Sequence, residues 1–149
     1  MGNSAGAVHV MTFLFEPSLR NSVKANVAGA VLLSPPSHQR AADASRTEVN
    51  AAYYGDIESI EKNSPIGLMS KNGPVSIPIL SMVADLDEDS IKASWKDFKE
   101  EYAKQGGKLD EIIFEGNHIS PVPGLNGTDP AGSTWGEDAA EWMLKQLKT

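Results

Sequence analysis

Two short apolar runs, at residues 27–34 and 76–84, constrain the fold of this chain more than any other feature. Each is bounded by polar or turn-forming residues and shows no polar alternation. Such runs are typical of strands that are buried on both faces, as in parallel sheets. A third strand is predicted at 108–114, and Pro78 is expected near the start of the second strand, where a missing N–H is tolerated.

Helical patterns separate these strands. Residues 4–16 are apolar nearly all round, which predicts a buried helix that Pro17 ends. Residues 89–105 have the pattern of an amphipathic helix that Gly106-Gly107 closes. The apolar face of this second helix is formed by Ile91, Trp95, Phe98 and Tyr102.

A capping box predicts the start of the last helix. Thr134 and Glu137 have the spacing at which each side chain can bond the other's backbone N–H. A long loop rich in Gly, Pro and Asn precedes them, from 115 to about 132. The inner face of the helix is predicted to consist of Trp135, Ala139, Trp142, Met143 and Leu147.

The alternation of strands and helices sets the fold class. It predicts an α/β protein with a parallel sheet flanked by helices, in a single domain over 1–149. Residues 37–74 are predicted to be a helical insert between strands, with weak helical stretches at 42–53 and 57–62. Three strands are few for such a sheet and would leave both edges exposed. We therefore expect that an N-terminal half of the fold is absent.

Charge and composition exclude several classes of function. The 149-residue chain has a net charge of −7, which argues against a nucleic-acid partner and against an anionic membrane surface. No stretch approaches the roughly 18 apolar residues that a membrane span needs. The chain has no cysteine, which excludes disulfides and thiolate metal sites, and its scattered histidines argue against zinc. The cellular compartment stays open.

The most specific motif is the pentapeptide Gly2-Asn3-Ser4-Ala5-Gly6. It fits G-x-S-x-G, the nucleophile elbow, in which a serine lies on a sharp turn between a strand and a helix. Glycine is expected at both flanks because a side chain there would collide with neighbouring backbone. The Ala5 N–H, at the helix N-terminus, is placed to donate to an oxyanion. The alternative is an ordinary helix start with Ser4 as its N-cap.

Candidate partners for Ser4 follow the later strands. In open α/β sheets, functional groups lie beyond the carboxyl ends of the strands. The first strand is followed by Pro35-Pro36, with no evident catalyst, the second by the acidic run 85–89, and the third by His118. A serine hydroxyl needs a base beside it, histidine serves as a base near neutral pH, and a carboxylate orients the imidazole.

These candidates also have simpler structural explanations. His118 could be a loop histidine that bonds only backbone. The acidic run could be a solvated turn and helix start, where acids favour the helix dipole, and Glu88 and Asp89 fit that explanation best.

Other residues are expected to be structural. His9 is predicted to be a packed or partly exposed helix residue and His38 a surface loop residue. The aromatic face of the 89–105 helix is expected to be core. Tyr53-Tyr54 could contact substrate, although packing is the preferred interpretation.

Several blocks of sequence together carry a family resemblance. They are Gly2 to Ala7, Tyr54-Gly55, Ser64-Pro65, Ile77 to Leu80, Ala84 to Asp87, and Gly116-Asn117-His118. With these blocks in this order, the chain resembles the C-terminal half of an α/β-hydrolase. It is most similar to the carboxylesterase and hormone-sensitive-lipase-like group, which includes kynurenine-formamidase-like enzymes.

The resemblance implies a role for each site residue. Ser4 would be the nucleophile, His118 the general base and Asp87 the orienting acid, with Asp85 as the fallback acid. The implied reaction is hydrolysis of a carboxylic ester through an acyl-enzyme, on a small-molecule substrate, with no cofactor and no metal. Ester, lactone and formamide substrates stay open.

The chain departs from this family pattern at the oxyanion hole. The family's His-Gly-Gly motif lies upstream of the elbow, and this sequence contains no such motif. The strand that enters the elbow is also expected to be missing. Losing one oxyanion donor typically costs about 100- to 1000-fold in rate. The alternative is therefore a catalytically inactive remnant that at most binds a partner, by association through an exposed sheet edge.

Overall fold

A parallel sheet lies at the centre of the structure. The structure is a computed structural model that describes residues 1–23, 26–38, 47–124 and 134–148. Its strands lie side by side in chain order: β1 (Gly2–Asn3), β2 (Ala30–Leu33), β3 (Ile79–Ala84) and β4 (Asp110–Phe114). All three neighbouring pairs are parallel. The predicted α/β class, with a parallel sheet flanked by helices, is confirmed.

The strand count differs from the prediction by one. β1 is only two residues long, yet Gly2 pairs with Leu32 and Asn3 with Leu33 of β2. Two residues are too few to give a periodic signal, so the sequence pattern could not predict this strand. The end of the strand that enters the elbow is therefore present, contrary to expectation.

Helices connect and cover the strands. They are α1 (Ala5–Phe15), α2 (Pro17–Ser22), α3 (Thr47–Tyr54), α4 (Ser59–Asn63), α5 (Pro65–Asn72), α6 (Asp89–Lys104), α7 (Pro121–Gly124) and α8 (Trp135–Gln146). Helices α3 to α5 lie between β2 and β3, in the part of the chain predicted to be a helical insert. The first part of the helical stretch predicted at 42–53 lies outside the described residues. No described helix is long and apolar enough to cross a membrane.

Helix α5 begins at a proline. Pro65 occupies the first turn, where its missing N–H is harmless. The Ser64 hydroxyl accepts a bond from the Gly67 N–H at 3.3 Å and so caps the helix.

The two faces of the sheet carry separate apolar clusters. In β2, Ala30 and Leu32 face a cluster formed with α1, α5 and α6, whereas Val31 and Leu33 face a cluster formed with α8. This alternation follows from the two-residue period of a strand, so both faces of a central strand can be apolar only if helices cover both. Burial on both faces holds the carboxyl ends of the strands, and the loops that follow them, in fixed positions.

The predictions for α8 need two corrections. Trp135, Ala139 and Trp142 are buried as expected, but Met143 and Leu147 are exposed, the latter by 70%. Only the α8 residues that face the sheet are buried, because a helix that packs on one side of a sheet can bury only one stripe of its surface. The predicted capping box is also absent, because Thr134 donates to the Asp138 side chain and makes no side-chain cap bond.

Candidate active site

The elbow places Ser4 between β1 and α1 in a strained backbone conformation. Its φ is 52° and its ψ is −119°, outside the regions that side chains of L-residues prefer. Such a conformation costs on the order of 1–3 kcal/mol and persists only where the surroundings hold it. The Ser4 N–H donates to the Leu33 carbonyl at 2.9 Å, which anchors the turn to β2. The Ser4 side chain makes no helix cap, so the N-cap alternative does not describe it.

The two flanking glycines have different reasons for being glycine. A Cβ on Gly2 would lie 2.3 Å from the Gly6 carbonyl oxygen and 2.7 Å from the Ala7 nitrogen. This close approach of α1 to β1 is what the elbow requires at its first glycine. A Cβ on Gly6 would meet nothing within 4 Å, so the collision expected at this second flank is wrong for the described structure.

Asp87 lies in the loop after β3, with its side chain fully removed from solvent. Its Oδ2 accepts bonds from the Ser34 hydroxyl at 2.5 Å and from the Ala84 N–H at 3.0 Å. Its Oδ1 is 2.8 Å from His118 Nδ1. These partners fix the carboxylate and compensate for its burial, which would otherwise be unfavourable.

His118, in the loop after β4, connects Asp87 to Ser4. Its Nε2 is 2.7 Å from Ser4 Oγ. A carboxylate can only accept hydrogen bonds, so Nδ1 carries the proton that it donates to Asp87. In the neutral ring Nε2 is then an acceptor, and the Ser4 hydroxyl donates to it. The three side chains form one continuous hydrogen-bonded chain.

Asp85 has a different place in the structure. Its Oδ1 accepts a bond from the Gly116 N–H at 2.8 Å, and the neighbouring Leu86 N–H donates to the Gly116 carbonyl at 2.9 Å. These bonds join the loop after β3 to the loop after β4. Asp85 thus holds together the two loops that carry Asp87 and His118.

The Ala5 N–H is an unused donor next to Ser4. Within the described ranges it donates to no acceptor, as expected of the first N–H groups of a helix. Ala5 is exposed, and the positive end of the α1 dipole lies here. The geometry is therefore compatible with the predicted oxyanion donor.

Ser34, at the end of β2, is a site residue that the sequence reasoning missed. No catalytic residue was predicted after the first long strand, whereas the serine just before Pro35-Pro36 donates a hydrogen bond to Asp87. Ser4 and Ser34 are the two non-glycine residues with positive φ in the described part of the chain. The apolar run 27–34 already includes Ser34, so the local pattern did not distinguish it.

The other histidines lie apart from this chain of hydrogen bonds. His9 is exposed on α1 and its Nδ1 is 2.9 Å from the Tyr53 hydroxyl. His38 lies in the loop after β2 with a partly exposed side chain, as predicted, and its Nε2 is 3.2 Å from Asp97 Oδ2 on α6. The described residues contain no group of three or more side chains that could hold a metal ion.

The paired tyrosines of α3 differ in their exposure. Tyr53 is 56% exposed, whereas Tyr54 is buried. Burial, with a smaller contribution from neighbouring Tyr53, raises the pKa of Tyr54 to about 12. Tyr54 is therefore a neutral packing residue at physiological pH.

A groove of about 1090 Å³ lies between α6 and β4, away from the site. Its lining includes Trp95, Lys99 and Ile113, and none of Ser4, Asp87 and His118 lines it. Its size alone gives no reason to place a substrate there.

Comparison with solved structures identifies the architecture. A protein of Lactobacillus plantarum assigned as a carboxylesterase matches with a TM-score of 0.68, at 18% identity, over 97% of this chain and 55% of that one. An esterase of the fungus Rhizomucor miehei matches with a TM-score of 0.68, at 16% identity, over 99% and 49%. The esterase EstE5 matches with 0.57, at 18% identity, over 99% and 52%. This chain has the fold of part of an α/β-hydrolase.

The α/β-hydrolase fold is covered only in part, because the chain spans about half the length of the esterases it matches. The sequence itself matches no protein-family model and no curated protein. Structural similarity at 18% identity or less shows that the chain has part of the α/β-hydrolase fold. The activity of this chain has to be argued from the geometry of the site.

Proposed function

We propose that this chain carries the catalytic residues of a serine hydrolase that cleaves carboxylic esters through an acyl-enzyme. The observation that carries the proposal is the continuous hydrogen-bonded chain from Ser4 Oγ through His118 to Asp87. Nucleophile, base and orienting acid are the three parts that acyl transfer by serine requires. The esterases that share the fold support an ester as the substrate class.

In the proposed first step, Ser4 Oγ attacks the ester carbonyl carbon and its proton passes to His118 Nε2. The carbonyl oxygen becomes an oxyanion, toward which the Ala5 N–H donates. The bond between the carbonyl carbon and the alcohol oxygen then breaks, and the proton on Nε2 passes to the leaving alcohol. The acyl group remains on Ser4.

Water completes the proposed cycle. A water molecule gives a proton to His118 Nε2 and attacks the acyl carbon. The bond to Ser4 Oγ breaks, the proton returns to that oxygen, and the carboxylic acid leaves. Asp87 orients the ring and stabilises the imidazolium without taking the proton itself.

Exposed apolar side chains are the sequence neighbours of two of the site residues. Leu86, beside Asp87, is 70% exposed, and Ile119, beside His118, is 64% exposed. Val122, in the helix that follows, is also exposed. We propose that these side chains favour substrates with an apolar acyl or alkyl group, through the hydrophobic effect. A short-chain aryl ester is therefore a suitable probe.

Hydrolysis of 4-nitrophenyl acetate by the folded chain tests the proposal. We expect turnover that Ser4→Ala and His118→Gln each reduce by about 10⁴-fold or more, the range known for members of such triads. His9→Gln is the matched control, because His9 is an exposed histidine on α1 that bonds Tyr53. Equal rates for wild type, Ser4→Ala and His118→Gln would contradict the proposal.

A non-catalytic role is the second candidate, and the position of the elbow favours it. Ser4 follows β1, which lies at one edge of the described sheet and pairs only with β2. Exposed strand edges are ready to pair with other chains. In this role the chain binds a partner through that edge. A monomeric, cooperatively folded chain that turns over a short-chain aryl ester would exclude this candidate.

A further inference from the structure

The hydroxyl of Ser34 is buried directly behind the acid of the site. Ser34 has no exposed surface, and its Oγ donates to Asp87 Oδ2 at 2.5 Å. The other oxygen of Asp87 is the one that meets His118. A hydrogen bond to one carboxylate oxygen thus fixes the direction in which the other oxygen points.

The backbone around Ser34 is built to hold this hydroxyl in place. Its φ is 46°, a conformation that is unfavourable for a serine. Its N–H nevertheless donates to the Met82 carbonyl at 2.8 Å, so the strained residue stays bonded to β3. Strain that the surroundings maintain is typical of functional positions.

The same short segment also holds the nucleophile. The Leu33 carbonyl accepts the bond from the Ser4 N–H at 2.9 Å. Leu33 and Ser34 therefore contact Ser4 through the backbone and Asp87 through a side chain. The end of β2 sets the distance between the nucleophile and the acid, across which the His118 ring must fit.

We propose that Ser34 is a positioning residue, whose hydroxyl holds Asp87 in the orientation that aligns His118 with Ser4. The proposal rests on the proposed function, because alignment matters for catalysis only if these three side chains react. Without the hydroxyl, Asp87 Oδ2 keeps only the Ala84 N–H, and the carboxylate can rotate. A shift of about 1 Å in a reacting group can cost on the order of 100-fold in rate.

Two substitutions separate the hydroxyl from the backbone conformation. Ser34→Ala and Ser34→Gly both remove the donor to Asp87, but glycine tolerates a φ of 46° and alanine does not. The glycine variant should therefore be the more stable of the two. A positioning role predicts the same loss of function in both variants, whereas a purely structural role predicts a loss that follows stability.

Ser81→Ala is the matched control. Like Ser34, Ser81 is a fully buried serine; it lies on β3, and its Oγ accepts the bond from Trp95 Nε1 at 3.1 Å. Its loss removes one buried hydrogen bond on the face of the sheet that α6 covers. We expect Ser81→Ala to leave the reactivity of Ser4 unchanged.

Two measurements on the full chain test the proposal. The first is the rate at which a fluorophosphonate labels Ser4. Ser34→Ala and Ser34→Gly should each lower this rate by about 10- to 100-fold. That range is the one known for residues that orient metal ligands through a hydrogen bond, which is the same kind of indirect role. The second is the downfield proton NMR signal of the ring N–H that His118 donates to Asp87, assigned by its loss in His118→Gln. Both Ser34 variants should shift or broaden it, and Ser81→Ala should not.

The outcomes distinguish this proposal from the proposed function. Wild-type labelling and an unchanged N–H signal in both Ser34 variants would overturn the positioning role, and so would a loss in Ser34→Ala that Ser34→Gly restores. If wild-type Ser4 is not labelled, the proposed function fails. The N–H signal of the folded chain then decides by itself whether Ser34 orients Asp87.

Discussion

At the scale of single residues, two serines with positive φ define the site. Ser4, directly after β1, carries the hydroxyl that we propose as the nucleophile, and Ser34, directly after β2, donates a hydrogen bond to the buried Asp87. Both positions disfavour a side chain, so a glycine would be easier to accommodate. Serine at these positions therefore indicates that the hydroxyl group is what the structure uses.

Replacing Ser4 should reveal the strain at the elbow. Ser4→Ala and Ser4→Gly lose the same hydroxyl and the same bond to His118, but only glycine adopts a φ of 52° without strain. We expect Ser4→Gly to be the more stable variant by about 1 kcal/mol in urea unfolding, the opposite of the usual order of these residues. An alanine variant that is equally stable or more stable would contradict a strained elbow.

Replacing the acids should separate their roles. Asp87→Asn puts an amide opposite His118 and favours the wrong tautomer of the ring, so we expect about a 10⁴-fold loss in kcat/KM for ester hydrolysis. Asp85→Asn keeps an acceptor for the Gly116 N–H, and we expect activity within about threefold of wild type.

The reverse order of effects would make Asp85 the orienting acid and would contradict the assignment. Thermal unfolding of both variants should accompany the kinetics, because a misfolded Asp87→Asn protein would also lose activity. The kcat/KM of each variant is therefore calculated per amount of folded protein.

At the scale of elements, the close packing of α1 on β1 is what makes the elbow. The helix starts one residue after Ser4, and its first turn lies over Gly2. The helix is mostly apolar and buries Ala7, Met11 and Leu14 against the sheet. This packing fixes the direction in which Ser4 leaves the strand.

A matched pair of glycine substitutions tests this close approach. Gly2→Ala would place a Cβ 2.3 Å from the Gly6 carbonyl oxygen, and we expect it to lower the free energy of unfolding by about 1–3 kcal/mol. Gly6→Ala meets open space within a helix, where alanine is favoured by about 1 kcal/mol. Chemical denaturation of both variants is the measurement, and equal effects would contradict the described elbow.

The sequence predicted elements with long periodic patterns and missed those without one. The apolar face of α6 was predicted because Trp95, Phe98 and Tyr102 recur at helical spacing, and all three are buried. β1 was missed because its two residues are held by pairing with β2, which no local pattern reveals. The exposed Leu147 was predicted as buried because periodicity does not tell where the covering layer ends.

The three main residues of the candidate site could be predicted from the sequence, but the residue that holds Asp87 in place could not. Ser4 and His118 could be selected by motif and by position after strands, whereas Asp87 was singled out from the acidic run 85–89 by the family resemblance. The structure brings the three side chains within hydrogen-bond distance. Ser34 could not be selected, because its role depends on a φ and on a contact across 53 positions of the chain. Contacts of that kind follow from tertiary packing.

At the scale of the whole molecule, the sheet assembles a site from distant parts of the chain. Ser4 and His118 are 114 positions apart, yet their loops meet because parallel strands end at the same edge of the sheet. The chain spans about half the length of the esterases that share its fold. The alignment of the three side chains is thus formed within this part of the fold.

The proposal that His118 activates Ser4 as a nucleophile is tested most directly by the site at which a fluorophosphonate modifies the folded chain. Mass spectrometry of its peptides determines this site. We expect an adduct on Ser4 that forms faster than on any other serine and that forms about 100-fold or more slowly in His118→Gln, the range typical of general base catalysis. A folded chain in which Ser4 stays unmodified, or is modified at the same rate without His118, would contradict the role of Ser4 as a nucleophile that His118 activates.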